Sequence, residues 1–249
     1  MNLTYPRPWS HPLLTAHSGA EGFTPNSQEY IEGMIAAKVD VIEIDVHITS
    51  DGLPLLHHDP AVSGGEGEEW VIMDTPSQVF QQNAHLIFLE EAFALLKPSS
   101  LRINIDIKNP QAVAPILDAV ERHGLQERYW FSGLHPQDVR NVRKHWPHGV
   151  CMLNLDVEFL GPLSWDYREK TYRSYLEEAV ELQAYMVNMH HALCTAEWVD
   201  LAHELNLGVS AWTVDTEDTA QLMGLHGVDA MTTNRPLQME GFFQRIEKS

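Results

Sequence analysis

At 249 residues the chain has the length of one large α/β domain, and 44% hydrophobic against 20% charged residues is the balance of a globular protein with a sizeable core. Its 35 acidic residues outnumber 16 basic ones, and the resulting formal charge of −19 repels nucleic-acid phosphates and anionic membrane surfaces. Neither nucleic acid nor stable membrane insertion is expected, whereas a bound cation can reverse the local sign for a small anionic substrate.

The two cysteines, Cys151 and Cys194, are too few for a disulfide framework and fit a reducing compartment. The opening stretch MNLTYPRPWSHPLL has no basic start followed by an apolar run and nothing long enough to cross a bilayer. A soluble, cytoplasmic protein is the expectation.

Short apolar, β-rich runs predict strands at 13–17, 41–46, 102–107, 129–132, 150–154, 185–189, 208–213 and 229–232. Amphipathic stretches between them predict helices at 27–37, 89–97, 110–123, 136–145, 167–182, 195–205, 216–225 and 236–247. Parallel neighbours need crossover connections, so this alternation predicts a single (β/α)8 barrel domain over residues 1–249. An open doubly wound sheet is the alternative, but no Gly-rich phosphate turn follows any of the strands. An insertion follows the second strand: a short hairpin turning at Ser50-Asp51-Gly52, then the run AVSGGEGEEW, expected as a mobile loop.

Alternation along the second strand sends Glu43 and Asp45 one way and Ile42, Ile44 and Val46 the other. The same pattern returns in INIDIKN, where Asn104, Asp106 and Lys108 share one face against Ile103, Ile105 and Ile107. A lone E-x-D is better explained by a salt bridge or a solvated strand end. Carboxylates converging from two strands, however, repel unless a cation sits between them, and an all-oxygen set favours Mg2+ or Ca2+. His17 closes the first strand and His58 closes the hairpin; a histidine pair facing one substrate can divide general-base and general-acid work. His190 and His191 follow the sixth strand, a place open to a substrate contact that no other signal supports.

The stretches AHSGAEGFTPNS, VDVIEIDVHITSDGLPLLHHDP, INIDIK, VSAWTVD and GVDAMTTNRP, in this order, resemble the glycerophosphodiester phosphodiesterases. The resemblance runs from about residue 13 to 240, and its most specific part is E-x-D-V-x-x-T-x-D-G-x-P followed by H-D. It implies a TIM barrel that uses one divalent cation and two histidines to release glycerol 3-phosphate and an alcohol. By position it implies Glu43, Asp45 and Asp106 as metal ligands and His17 and His58 as the acid–base pair. Lys108 and Ser18 would then meet the phosphate, and Trp212 the leaving alcohol or glycerol. The sphingomyelinase D-type phospholipases share the barrel and ligand layout and are the nearest competitor. A zinc amidohydrolase would want an H-x-H pair on the first strand, which TAHSGA does not supply.

The chain departs from the pattern in several places. Ser18 stands where the family carries an arginine, which removes a charge and a bidentate fork. Asp106 replaces a glutamate, as it does in the sphingomyelinase D branch. Pro25-Asn26-Ser27 lacks the glutamate of P-E-N-T/S, and Thr233-Asn234-Arg235-Pro236 has an amide where T-D-x-P has an acid. The segment after His58 is shorter than the usual insertion, which implies a more open or differently shaped pocket. These losses leave a second class in view, a barrel that binds phosphorylated metabolites without turnover.

Overall fold

The computed structural model describes residues 11–64, 67–143, 147, 149–155 and 165–246. Residues 144, 145 and 247, which the spacing adds to two helices, lie outside them, as do residues 1–10 and 65–66. The chain divides into two compact units, one of residues 16–129 and one of residues 1–15 with 130–249.

In the unit of residues 16–129, α1 (Gln28–Ala37) leads into β2 (Val41–Ile48), β1 (Leu13–Ala16) having run up to its start. α1 begins where the Ser27 hydroxyl accepts the Tyr30 N–H at 3.1 Å, satisfying one of the orphan donors of a helix start. β2 is buried along all eight residues, the mark of a strand covered on both faces. β3 (Pro54–Leu56) folds back antiparallel on it, with Val46 opposite Leu56 and Ile48 opposite Pro54. The turn between them is the predicted one. Gly52 takes φ 83°, and the Thr49 N–H donates to the Leu53 carbonyl at 3.0 Å.

The run expected as a mobile loop is instead structured on either side of residues 65–66. β4 (Ala61–Ser63) pairs antiparallel with β5 (Glu69–Val71), Val62 opposite Trp70. The reason is burial: Val62 joins Leu55, Ile72 and Phe80 in a small core against which Trp70, Leu86 and Phe88 pack. Phe80 closes the short helix α2 (Ser77–Phe80), and α3 (Leu89–Leu96) follows. β6 (Arg102–Ile107) lies parallel to β2, in register from Val41 opposite Arg102 to Val46 opposite Ile107. α4 (Val113–His123) ends at Gly124, whose φ of 71° reverses the chain.

The other unit is a run of strand–helix alternations. β7 (Tyr129–Leu134), α5 (Pro136–Arg143), β8 (Cys151–Leu155), α6 (Trp165–Glu181) and β9 (Met186–His190) come first. α7 (Ala196–Glu204), β10 (Gly208–Trp212), α8 (Glu217–His226), β11 (Ala230–Thr233) and α9 (Pro236–Ile246) follow. β7 to β11 pair in chain order and in parallel. Most boundaries fall within two residues of the sequence expectation.

Candidate active site

Glu43, Asp45 and His47 share the face of β2 opposite Ile42, Ile44 and Val46, and all three are buried. The parallel register sets Asn104 beside Glu43 and Asp106 beside Asp45. One carboxylate oxygen from each of Glu43, Asp45 and Asp106 lies within 4.8 Å of the other two.

Lys108 answers part of this charge. Its Nζ donates to Asp45 Oδ1 at 2.8 Å and to Asp106 Oδ2 at 2.5 Å. Burial opposes the ammonium, but the two carboxylates outweigh it and raise the Lys108 pKa. Burial likewise opposes the Asp45 charge, yet Lys108 and the Asn26 amide hold that carboxyl below its usual range. Glu43 goes the other way. Burial, then repulsion from Asp45 and Asp106, push its pKa well up, against smaller help from Lys108 and the Ser18 N–H.

Glu43 Oε2 is buried without a hydrogen-bond partner, and so is Asn104 Oδ1 beside it. A buried acceptor left unmade is costly, and three neighbouring carboxylates share one lysine. The donor set is entirely oxygen, closely spaced and short of positive charge, so these residues fit a hard divalent cation.

The loop after β1 brings the next groups. The Tyr30 hydroxyl, fully buried, lies 2.8 Å from the Ala16 carbonyl and 3.1 Å from that of Glu43, which ties the loop to β2. His17 Nε2 then sits 4.0 Å from Glu43 Oε2. Gly19 takes φ 85°, and a Cβ there would meet Pro25 Cγ at 2.8 Å. Ser18 is buried, and its Oγ accepts the Asn26 N–H at 3.0 Å. Asn26, in a left-handed conformation of φ 55°, grips Asp45 through its side chain.

His58 lies just beyond β3. Its Nδ1 pairs with Asp59 Oδ1 at 2.9 Å, a contact that does not engage Nε2. Side-chain exposures of 36% for His17 and 63% for His58 leave both imidazoles open to a diffusing molecule. His47 is the inward counterpart: Nδ1 is 2.8 Å from Asn109 Oδ1 and Nε2 3.2 Å from the His58 carbonyl. Burial lowers its pKa, and the two oxygen contacts offset only part of that.

Trp212 belongs to the other unit, at the end of β10, with its ring edge-on to His190 at 5.4 Å. There, too, the departure at Asn234 finds its partner. The Asn234 backbone N–H and Nδ2 donate to the two carboxylate oxygens of Asp215 at 2.7 and 2.8 Å.

The Glycerophosphoryl diester phosphodiesterase family model matches residues 17–238, nearly the whole chain, including every side chain just described. The chain belongs to that family. This makes it an enzyme of the phosphodiester-cleaving class. The glycerophosphodiester phosphodiesterase of Caldanaerobacter subterraneus subsp. tengcongensis is 24% identical over 242 residues, covering 90% of this chain and 94% of the relative. A crystal structure from Agrobacterium tumefaciens is similar at a TM-score of 0.82 and 18% identity, covering 96% of this chain and 100% of that one. An Oleispira antarctica phosphodiesterase, solved in complex with the product sn-glycerol-3-phosphate, gives 0.76 at 19% identity, covering 94% and 97%. The fold class of this phosphodiesterase is thus the (β/α)8 barrel that the strand–helix alternation predicts. No helix among the described residues is long and apolar enough to cross a membrane.

Two residues of this cluster receive no role from the sequence. Asn26 is a single loop residue, and only its place in the altered P-E-N-T/S stretch marks it. His47 sits on the same strand face as Glu43 and Asp45, a signal that was available, but its partner Asn109 is 62 positions away.

Proposed function

We propose that this single-domain enzyme hydrolyses glycerophosphodiesters to sn-glycerol 3-phosphate and an alcohol, with one divalent cation, Mg2+ or Ca2+, held by Glu43, Asp45 and Asp106. The observation that carries the reading is the trio of carboxylates within 4.8 Å, one oxygen of which is buried and unsatisfied. The cation, when bound, supplies a Lewis acid that neutralises charge developing on the phosphoryl group.

The chain's own residues do the rest. An ammonium has three donors; Lys108 spends two on Asp45 and Asp106 and keeps one for a phosphate oxygen. Ser18 Oγ is already an acceptor for Asn26, so its hydroxyl hydrogen is what it offers the phosphate in place of the missing arginine. His17 and His58 form the acid–base pair, one taking a proton from the nucleophile and the other giving one to the leaving alkoxide, worth roughly 10²–10⁴-fold. The Asp59 carboxylate on Nδ1 orients the His58 ring and leaves Nε2 to exchange the proton. The resemblance assigns Trp212 to the leaving alcohol or glycerol, for which an indole offers an apolar face. A cytoplasmic location goes with this reading, since both cysteines are free and buried.

Incubation with glycerophosphocholine, followed by phosphorus NMR, tests the proposal. Release of sn-glycerol 3-phosphate that stops in chelator and returns with Mg2+ or Ca2+ is expected. An unchanged rate in chelator removes the cation from the mechanism. Turnover of sphingomyelin but not of glycerophosphocholine moves the enzyme to the competing class, for which Asp106 is the favouring residue.

A further inference from the structure

His47 is absorbed by none of the roles above, although it is 4% exposed and points the same way along β2 as two of the acids. Its surroundings connect the segments on which the chemistry rests. The antiparallel ladder between β2 and β3 ends where the His57 N–H donates to the Asp45 carbonyl at 3.1 Å. Past that bond the chain leaves the sheet, and His58 is the next residue. There the backbone carbonyl of His58 meets His47 Nε2 at 3.2 Å. On the opposite side of the ring, Nδ1 is 2.8 Å from Asn109 Oδ1, on the residue that follows Lys108 at the exit of β6. Asn109 Oδ1 also takes the Ile48 N–H at 3.4 Å, so the same amide holds the end of β2.

We infer that His47 is a positioning residue, a buried strut that fixes the backbone of His58 against the end of β6 and so sets where the exposed imidazole stands relative to Lys108 and the carboxylates. The inference rests on the reading of His58 as a catalytic group. The physical need is plain. An imidazole on a segment that has left the sheet keeps its place only if its backbone is pinned, and a displacement of about 1 Å at a reacting group can cost on the order of 10²-fold in rate. A leucine at 47 fills similar volume and makes neither contact. A glutamine there has an amide N–H at about the reach of Nε2, whereas an asparagine falls one methylene short.

The test compares His47→Leu, His47→Gln, His47→Asn and His58→Ala on glycerophosphocholine in the metal-supplemented enzyme, with kcat and KM expressed per folded molecule and a urea midpoint for each. His47→Leu should lower kcat roughly 10–100-fold with KM within about threefold. Glutamine should recover most of kcat and asparagine little of it. A residue that merely fills the core would move the urea midpoint and leave kcat per folded molecule unchanged. That result, with His58→Ala inactive, overturns the strut. If His47→Leu does not fold, equal kcat for the glutamine and asparagine variants overturns it instead. Parental activity in His58→Ala would fall on the underlying assignment of His58, which keeps the two failures apart.

Discussion

Asn26 and Asp45 hold each other by two reciprocal hydrogen bonds: Asn26 Nδ2 donates to Asp45 Oδ2 at 2.7 Å, and the Asp45 N–H donates to Asn26 Oδ1 at 2.9 Å. A buried carboxylate beside two other acids is thereby given a fixed direction and a neutral donor. Asn26→Asp removes that donor and adds a fourth carboxylate, so it should cost about 2–4 kcal/mol of stability and most of the activity. Asn26→Gly keeps the left-handed backbone open and removes only the amide, so its loss should be the smaller, about 1–3 kcal/mol. Urea unfolding of both variants checks the order; a glycine variant less stable than the aspartate one contradicts the account.

The Asp215–Asn234 pair makes the amide at 234 intelligible. Asp215 supplies the carboxylate, so an acid at 234 as well would set like charges at hydrogen-bond distance. Asn234→Asp alone should destabilise by about 1–2 kcal/mol, and adding Asp215→Asn should restore most of it by reversing the roles. Additive losses in the double variant would show that the pair does not act as a unit.

Asp51 in the β2–β3 turn accepts from the Thr49 hydroxyl at 2.7 Å and from the Ser77 hydroxyl and N–H at 2.7 and 2.9 Å. These bonds hold its pKa down at about 2. A carboxyl whose folded pKa lies below its unfolded value of about 3.9 stabilises the fold above that value and loses the contribution as pH falls toward 2. Because Asp51 is exposed, the contribution is discounted to about 1 kcal/mol. The stability difference between parent and Asp51→Asn should therefore be full near neutral pH and shrink between pH of about 4 and 2; a difference that grows on acidification contradicts it.

Asp106 is one methylene shorter than the glutamate the resemblance implies, and Lys108 leans on it at 2.5 Å. Asp106→Asn leaves Asp45 as the one carboxylate paired with Lys108 and would leave the proposed cation with two carboxylates. It should weaken Mg2+ or Ca2+ binding at least tenfold, read by calorimetry without any substrate present. Unaltered cation affinity in that variant would exclude Asp106 from the ligand set.

How much of this lay in the sequence follows from the range of each signal. The acids of β2 and β6 were legible because alternation is a local, period-two pattern. That Asp106 faces Asp45 depends on strand register, which comes from pairing across about sixty residues of chain. The pairing of β4 with β5 is hidden by a stretch rich in Gly and Glu, and among its described residues Val62 and Trp70 reach the small core that orders it. Asn26 and His47 act through single contacts with distant partners, and no periodicity announces such contacts.

In the proposed mechanism His17 and His58 exchange the protons of phosphodiester cleavage beside the carboxylate cluster. The most direct test is the steady-state rate of glycerophosphocholine hydrolysis by purified, folded His17→Ala and His58→Ala in saturating Mg2+ or Ca2+. A drop in kcat of roughly 10²–10⁴-fold for each, with cation binding retained, is predicted. Hydrolysis at the parental rate by either variant contradicts it.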